Sequence, residues 1–535
     1  MWRRNLLFLG LIGGGVLALG AGLMLPRQPK PLTRFDASAY RAPDFVAVVR
    51  RVDASFRHSW TEQKLPPAPP APDLTVARRL ALGLMCTIPS LEEIRQFEYL
   101  PEDQRLPWWI DHILQDRRFA DNFAERFARA FVGTEDGPFI FYRRRRFVDW
   151  LAEQLAANRP YDRMVRDLIA SEGLWTDKPA ANFVSVTVQP DNKNQPDPVR
   201  LAGRVTRAFL GLRLDCAQCH NHPYAEWKQA DFQGLSAFFG QTHLGFTGIY
   251  DGPGEYQIKD RKTEEMRSVV PCVPFAADLL PNEGSLRWQL ACWITHPKNP
   301  YFARAAVNRV WALMLGKPLV EPVDNLESDT PAPPALDLLA DDFAAHGFDL
   351  RRLIRVIACT EVSRLDSASE HDGGEMAEKA WAVFPLTRLR PDQVVGGVLQ
   401  ASSVATLNAE SHILFRLARS FQRNDFVTRY GDSGEDEFDG RGGTIPQRLL
   451  MMNGSLLHEK TNDSLFNASR QIGWMAADDA HAVEAAYLSV LTRRPVPEEA
   501  EHFQHFLVDF QLSRAQRFED LFWSLLNSTE FSWNH

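Results

Sequence analysis

Two thiols and two imidazoles crowd into Cys216-Ala-Gln-Cys219-His220-Asn-His222-Pro223. Cys-x-x-Cys-His is the attachment order for c-type haem: both thiols form thioethers with the vinyl groups, and the adjacent imidazole takes one axial position on the iron. On a helix, residues three and four apart share a face, so Cys216, Cys219 and His220 would address one planar macrocycle together. His222 lies too close to His220 in sequence to reach the opposite face, which puts it beside the ligands rather than among them. Two other chemistries use the same residues. Cys216, Cys219, His220 and His222 can hold zinc or iron, although adjacent ligands after so short a loop strain a tetrahedral site. Alternatively, Cys216 and Cys219 form a disulfide in an oxidising compartment, with the histidines merely packed.

A single haem with two protein ligands leaves no open position for substrate, so that reading implies electron transfer. His243, His296 and Met266 are the candidates for the distal ligand, and no pattern selects among them. No catalytic residue can be named. The sequence has no Gly-x-Ser-x-Gly elbow, no His-Glu-x-x-His, no phosphate loop and no dinucleotide fingerprint. Glu92 and Glu93 are explained by helix capping in Ser90-Leu91-Glu92-Glu93 rather than by acid–base work. An oxidative or hydrolytic enzyme acting on sugars is therefore a third class without nameable residues.

The elements that must position the motif start at a targeting segment. Arg3 and Arg4 precede an uncharged, apolar, glycine-rich run from Asn5 to Leu25, closed by Pro26 and Arg27. Its length suits a bilayer-spanning helix and exceeds the apolar core of most cleaved signals. An uncleaved anchor in the inner membrane with an exported body is expected, and a cut near Ala18-Leu19-Gly20 is the alternative. With 60 basic against 68 acidic residues the net charge is −8 and the basic residues are dispersed, which argues against nucleic acid as a partner. Arg143 to Arg146 form the one basic run, read as a solvated or carboxylate-pairing face. Six cysteines are too few for a disulfide scaffold of this size. Cys86, Cys272, Cys292 and Cys359 stand singly, as thiols or as pairs.

Beyond a polar tether, residues 44–63 read as a helix, and Leu65-Pro-Pro-Ala-Pro-Pro-Ala-Pro72 as an extended spacer outside the core. Helical spacing then runs to about Glu172, with apolar positions at Trp109, Ile110 and Ile113 and at Phe123, Phe127, Ala130 and Phe131. Asn182 to Gln189 is the clearest strand-like run of this half. Asp197-Pro198 supplies an N-cap and first-turn proline for a helix through Leu212, which delivers the chain to Cys216. In the second half, residues 285–294, 302–315, 334–346 and 350–362 show helical spacing, with Gly347 placed to stop the third. Arg304, Asn308 and Arg309 lie about a turn apart; pairing with Glu321 or Asp324 is the favoured reading, anion binding the other. Gly431 to Gly440 is acidic but out of EF-hand register. His502 and His505 could share a metal on one helix face, an exposed face being the commoner case, and Met451, Met452 and Met475 read as core.

Leu210-Gly-Leu-Arg-Leu-Asp-Cys-Ala-Gln-Cys-His-Asn-His-Pro-Tyr-Ala-Glu-Trp227 and Asp231-Phe-Gln-Gly-Leu-Ser-Ala-Phe-Phe239 resemble the signature of the planctomycetal cytochrome-c-like domain. Thr87 to Glu93 and Asn158 to Arg163 are similar to the same domain. The second half resembles the planctomycetal domain of unknown function that usually follows it, through Asn299 to Trp311, Gly316 to Asn325, Thr444 to Gln447 with Asn453, and Leu525 to Phe531. Leu326 to Ala335 departs from the polar Asn-Pro-Pro-Ser-His type of that family. The resemblance implies a cell-envelope protein that bears haem.

The expected fold class is mainly α: two helical domains with minor β content and an N-terminal anchor helix. The divisions are 1–26 anchor, 27–43 tether, 44–243 cytochrome-c-like domain, 244–284 irregular insert and 285–535 second helical domain. The expected function is a membrane-anchored, periplasmic or otherwise extracytoplasmic protein, with one haem c on Cys216 and Cys219 and its iron on His220, exchanging electrons with an unknown partner. The alternative is an envelope binding or scaffold protein for a polysaccharide or protein, in which the Cys-x-x-Cys is a disulfide or metal site.

Overall fold

A computed structural model of the chain describes Gly10, Gly14, 35, 37–134, 142–188, 193–221, 225–259, 264–327, 331–368, 374–408, 411, 422–423, 425–431, 438, 444–508 and 511–535. These residues are mainly helical, with three two-stranded antiparallel sheets as minor β content. None of the helices among them is long and apolar enough to cross a membrane. Asn5 to Leu25, the expected anchor, lies outside them except for Gly10 and Gly14.

Local signals set many of the helix ends. The Ser90 hydroxyl accepts from the Glu93 amide at 3.0 Å and the Glu93 carboxylate from the Ser90 amide at 2.9 Å, so Leu91–Tyr99 starts with the expected capping box. Gly347 stops Pro334–Ala345 with φ +67°, where a Cβ would be strained. Along Arg117–Val132 the rings of Phe119, Phe123, Phe127 and Phe131 follow one another at 4.8, 5.7 and 5.4 Å on a single buried face. Each such side chain contributes about 1.5–3 kcal/mol of burial.

Two apolar cores result. The larger runs from Tyr40 to Phe384 and takes residues from both sides of 244–284. The smaller runs from Leu389 to Phe531 and also takes Leu82 and Ile88 from the first half. Within the larger core Asp73–Met85 crosses Phe302–Leu315 so closely that a Cβ on Gly83 would lie 2.7 Å from the Met314 carbonyl oxygen. Buried Asn308 then ties down the following loop, donating to the Val320 carbonyl at 2.9 Å and accepting from its amide at 3.0 Å.

Several expectations are corrected. Asn182 to Val188 is no strand: Pro179–Ala181 and Asn182–Ser185 are helical turns that continue as turns to Thr187, and Gln189 lies outside the described residues. Phe183, Val184, Val186 and Val188 are all buried, so alternation carries no facing information there, and tertiary burial overrides β-branched propensity. The proline segment is not a free spacer. The Ala68 amide donates to the Ala382 carbonyl at 2.7 Å and Ala71 to Arg364 at 2.8 Å, with Ala68 itself buried. The insert 244–284 carries two hairpins, Thr242–Gly245 with Gly248–Asp251 and Gln257–Lys259 with Met266–Ser268.

Candidate functional site

The approach to the motif is a helix that changes pitch. Asp197 caps Pro198–Val205, its carboxylate accepting from the Val199 and Arg200 amides at 2.9 and 3.2 Å. A π-turn, Thr206–Leu210, follows and ends at Gly211 with φ +60°, short of the expected Leu212. The motif itself is not α-helical. Leu214–Ala217 is a 3₁₀ turn, and bends follow to Asn221. In a 3₁₀ turn residues three apart eclipse one another. Leu214 and Ala217 point inward, fully buried with Leu212, while Cys216 and Cys219 are exposed. Cys216 thus lies in the turn and Cys219 in the bend after it, and both thiols face solvent without the α-helical spacing the motif suggested.

Both thiols are free, as are Cys86, Cys272, Cys292 and Cys359. His220 is exposed, and its Nδ1 meets the Asn221 carbonyl oxygen at 2.6 Å. A carbonyl only accepts, so the proton sits on Nδ1 and the Nε2 lone pair is left for an outside acceptor of electrons, such as a metal. Asn221 in turn accepts from the Gln229 amide at 3.0 Å, and the Gln229 side chain donates to the Gln218 carbonyl at 3.1 Å, pinning the loop to Gln229–Ala237. On the other flank Arg207 grips Asp215 through Nε at 3.0 Å and a terminal nitrogen at 2.7 Å, and Arg213 holds Asp324 at 2.7 Å. Burial pulls the Arg207 guanidinium down, but the hydrogen bond and charge of Asp215, with Asp324, hold it above its ordinary value.

His222 lies outside the described residues. The distal candidates take other contacts: His243 Nε2 donates to the Pro253 carbonyl at 3.0 Å, His296 Nδ1 accepts from the Lys298 amide at 3.1 Å, and Met266 is an exposed strand residue. Among the described residues the one group of three or more ligand-type side chains with atoms within 4.8 Å of one another is Glu93, His112 and Asp116. Cys216, Cys219 and His220 do not converge that tightly. The Glu93 group already contains a cation, because Arg118 bonds both Glu93 and Asp116, the latter at 2.9 Å. Although burial pushes the Glu93 carboxyl up, the Arg118 charge and the His112 bond hold it well below the carboxylate range.

Other expected positions are mostly structural. Arg144 pairs with Glu125 at 2.8 Å, while Arg145 and Arg146 are exposed. His502 and His505 are exposed, and Met451 is core, whereas Met452 and Met475 are on the surface. The acidic run lies outside the described residues except for Gly431 and Phe438. Arg304 pairs with Asp337 at 2.7 Å rather than with Glu321 or Asp324, and Asn308 serves Val320. Arg309 makes no hydrogen bond or ion pair with a described residue. It lines a cavity of about 550 Å³ together with Arg129, Arg204, Arg207 and Arg213, a convergence of sequence-distant residues that no local pattern announces.

Fold and site define a mainly helical chain that presents a free, exposed Cys-x-x-Cys-His segment on a buried apolar base. Residues 51–244, which contain that segment, match the family model PSCyt2, described as a protein of unknown function (DUF1549). Residues 286–422 match the model PSD1, also described as a protein of unknown function (DUF1553), and the two in this order are the two-domain planctomycetal architecture. No curated protein and no solved structure matches the chain.

Proposed function

We propose that this chain is a membrane-anchored, extracytoplasmic haem protein that exchanges electrons with a partner, with Cys216 and Cys219 as thioether positions and His220 as the proximal ligand. The observation that carries the reading is the imidazole of His220, whose Nδ1 proton is held by the Asn221 carbonyl so that Nε2 is left as the ligating atom. Two free, exposed thiols within four residues of that exposed ring suit a flat group laid against the surface. A compact tetrahedral metal would need the three ligand atoms drawn together, and a disulfide would need no oriented imidazole.

Bound there, a haem supplies one-electron chemistry. The chain's own part is to hold and orient. Leu212, Leu214 and Ala217 root the segment in the core, and Arg207 with Asp215 fixes its flank. The test is a pyridine haemochrome spectrum on the full chain, made in a host with c-type maturation machinery, beside Cys216→Ser and Cys219→Ser. A c-type band in the wild type that weakens or shifts in either variant is expected. A wild type without haem despite competent maturation overturns the reading.

A further inference from the structure

Phe302–Leu315 carries Arg309 with only 8% of its surface exposed, yet no carboxylate, carbonyl or hydroxyl of a described residue meets its guanidinium. A largely buried cation without a counter-charge is costly, and one that faces a cavity can be completed by a group from outside the chain. The side chain borders the cavity of about 550 Å³, a size that admits a small organic ligand rather than a bare ion. Five guanidiniums line that space against two carboxylates, Glu321 and Asp324. Asp324 is already engaged by Arg213 and Arg207 at 2.7 and 3.4 Å, and Glu321 is exposed. Arg207 also pairs with Asp215 and Arg129 with Glu125, which leaves Arg309 as a cation of the lining with no hydrogen bond or ion pair to a described residue, while Ala130, Phe131, Pro318 and Val323 supply apolar wall.

We propose that this cavity binds a small organic molecule through an oxyanion group, a carboxylate, phosphate or sulfate, with Arg309 as the principal contact. The planar fork of arginine offers two parallel N–H donors to such a group and is suited to burial in a way lysine is not. Nothing in the proposal depends on haem, although the cavity shares Arg207 with the flank of the Cys-x-x-Cys-His segment.

The full chain is titrated calorimetrically with sodium phosphate, sodium sulfate and sodium succinate, each against sodium chloride at equal ionic strength. At least one probe should bind saturably at a single site, and the ranking of the three identifies the preferred oxyanion. Arg309→Gln should weaken that binding about tenfold or more. It should do so without lowering Tm, because no protein contact is lost, whereas the exposed Arg50→Gln should leave affinity unchanged. Val323→Glu places a carboxylate in the cavity and should abolish binding, which tests the site separately if Arg309→Gln fails to fold. Absence of saturable binding by all three probes overturns the proposal, as does wild-type affinity in Arg309→Gln or in Val323→Glu.

Discussion

The ion pair between Arg126 and Asp392 predicts how the two cores are held together. Arg126 belongs to Arg117–Val132 of the larger core and is 1% exposed; Asp392 opens Pro391–Ala401 of the smaller core and is 9% exposed. Burial pushes the Asp392 carboxyl up, but the charges of Arg126 and Arg423 hold it well below the carboxylate range. Arg126→Met leaves that carboxylate buried with Arg423, at 3.6 Å and 41% exposed, as its remaining ion pair, and with the more distant charges of Arg129 and Arg390. Breaking one side of a buried pair costs about 3–5 kcal/mol, and the surviving Arg423 puts this case at the lower end, about 3 kcal/mol. Replacing both partners, as Arg126→Met with Asp392→Leu, removes the stranded charge and should return to within about 1 kcal/mol of the wild type. The assay is urea unfolding followed by circular dichroism and tryptophan fluorescence, with each transition fitted separately because two cores need not unfold as one. The single variant should also recover part of its deficit on acidification, since a protonated Asp392 needs no counter-charge. A loss under about 1 kcal/mol in Arg126→Met, or a double variant as unstable as the single, refutes the reasoning.

Two further outcomes follow from burial and charge. Glu530 is held down to about 2: burial pushes it up, but the Arg493 hydrogen bond and His535 outweigh that, and Asp392 is depressed likewise. A depressed carboxyl contributes stability that is complete above its unfolded value of about 4 and is lost as pH falls toward the folded one. Tm should therefore be level from pH 7 to about 5 and fall steeply between about 4 and 2, with a shallower fall in Glu530→Gln; a flat profile through pH 3 contradicts it. In chain prepared without maturation machinery, iodoacetamide should label the exposed Cys216, Cys219 and Cys272 before Cys86 and Cys359. Cys86 is buried, and burial pushes the Cys359 thiol up to about 12, so both should lag; equal labelling rates by mass mapping would contradict the packing.

What could be read from the sequence was whatever is decided within one or two turns of chain. The Ser90 capping box, the Asp197 cap and Gly347 all act on neighbours, so their consequences are legible from neighbours. Ligand types in the Cys-x-x-Cys-His segment are equally local, but its geometry is not, because the 3₁₀ turn is imposed by burying Leu214 and Ala217. Where every side chain of a run is buried, as over Phe183 to Val188, periodicity has nothing to report and tertiary packing decides. The proline segment looks like a spacer because its partners, Arg364 and Ala382, lie some three hundred residues away in sequence, and its backbone bonds to them make it part of the core's edge.

Most of the buried arginines escape a local reading for the same reason. Arg78 donates to the Val490 carbonyl at 3.0 Å, Arg79 to those of Leu365 and His535 at 2.6 Å, and Arg287 to Asp251 at 2.6 Å. Arg126 meets Asp392. In each case a guanidinium placed by one element finds an oxygen supplied by an element distant in sequence, so burial of the charge is offset by a contact that joins parts of the chain. Arg309 and Arg390, each 8% exposed, have no hydrogen bond or ion pair between the guanidinium and a described residue, and of the two it is Arg309 that borders the cavity. The same argument separates structure from site elsewhere in the molecule. Glu93, His112 and Asp116 look like metal ligands by residue type, yet Arg118 completes them, whereas the Nε2 of His220 has no hydrogen bond or ion pair to a described residue.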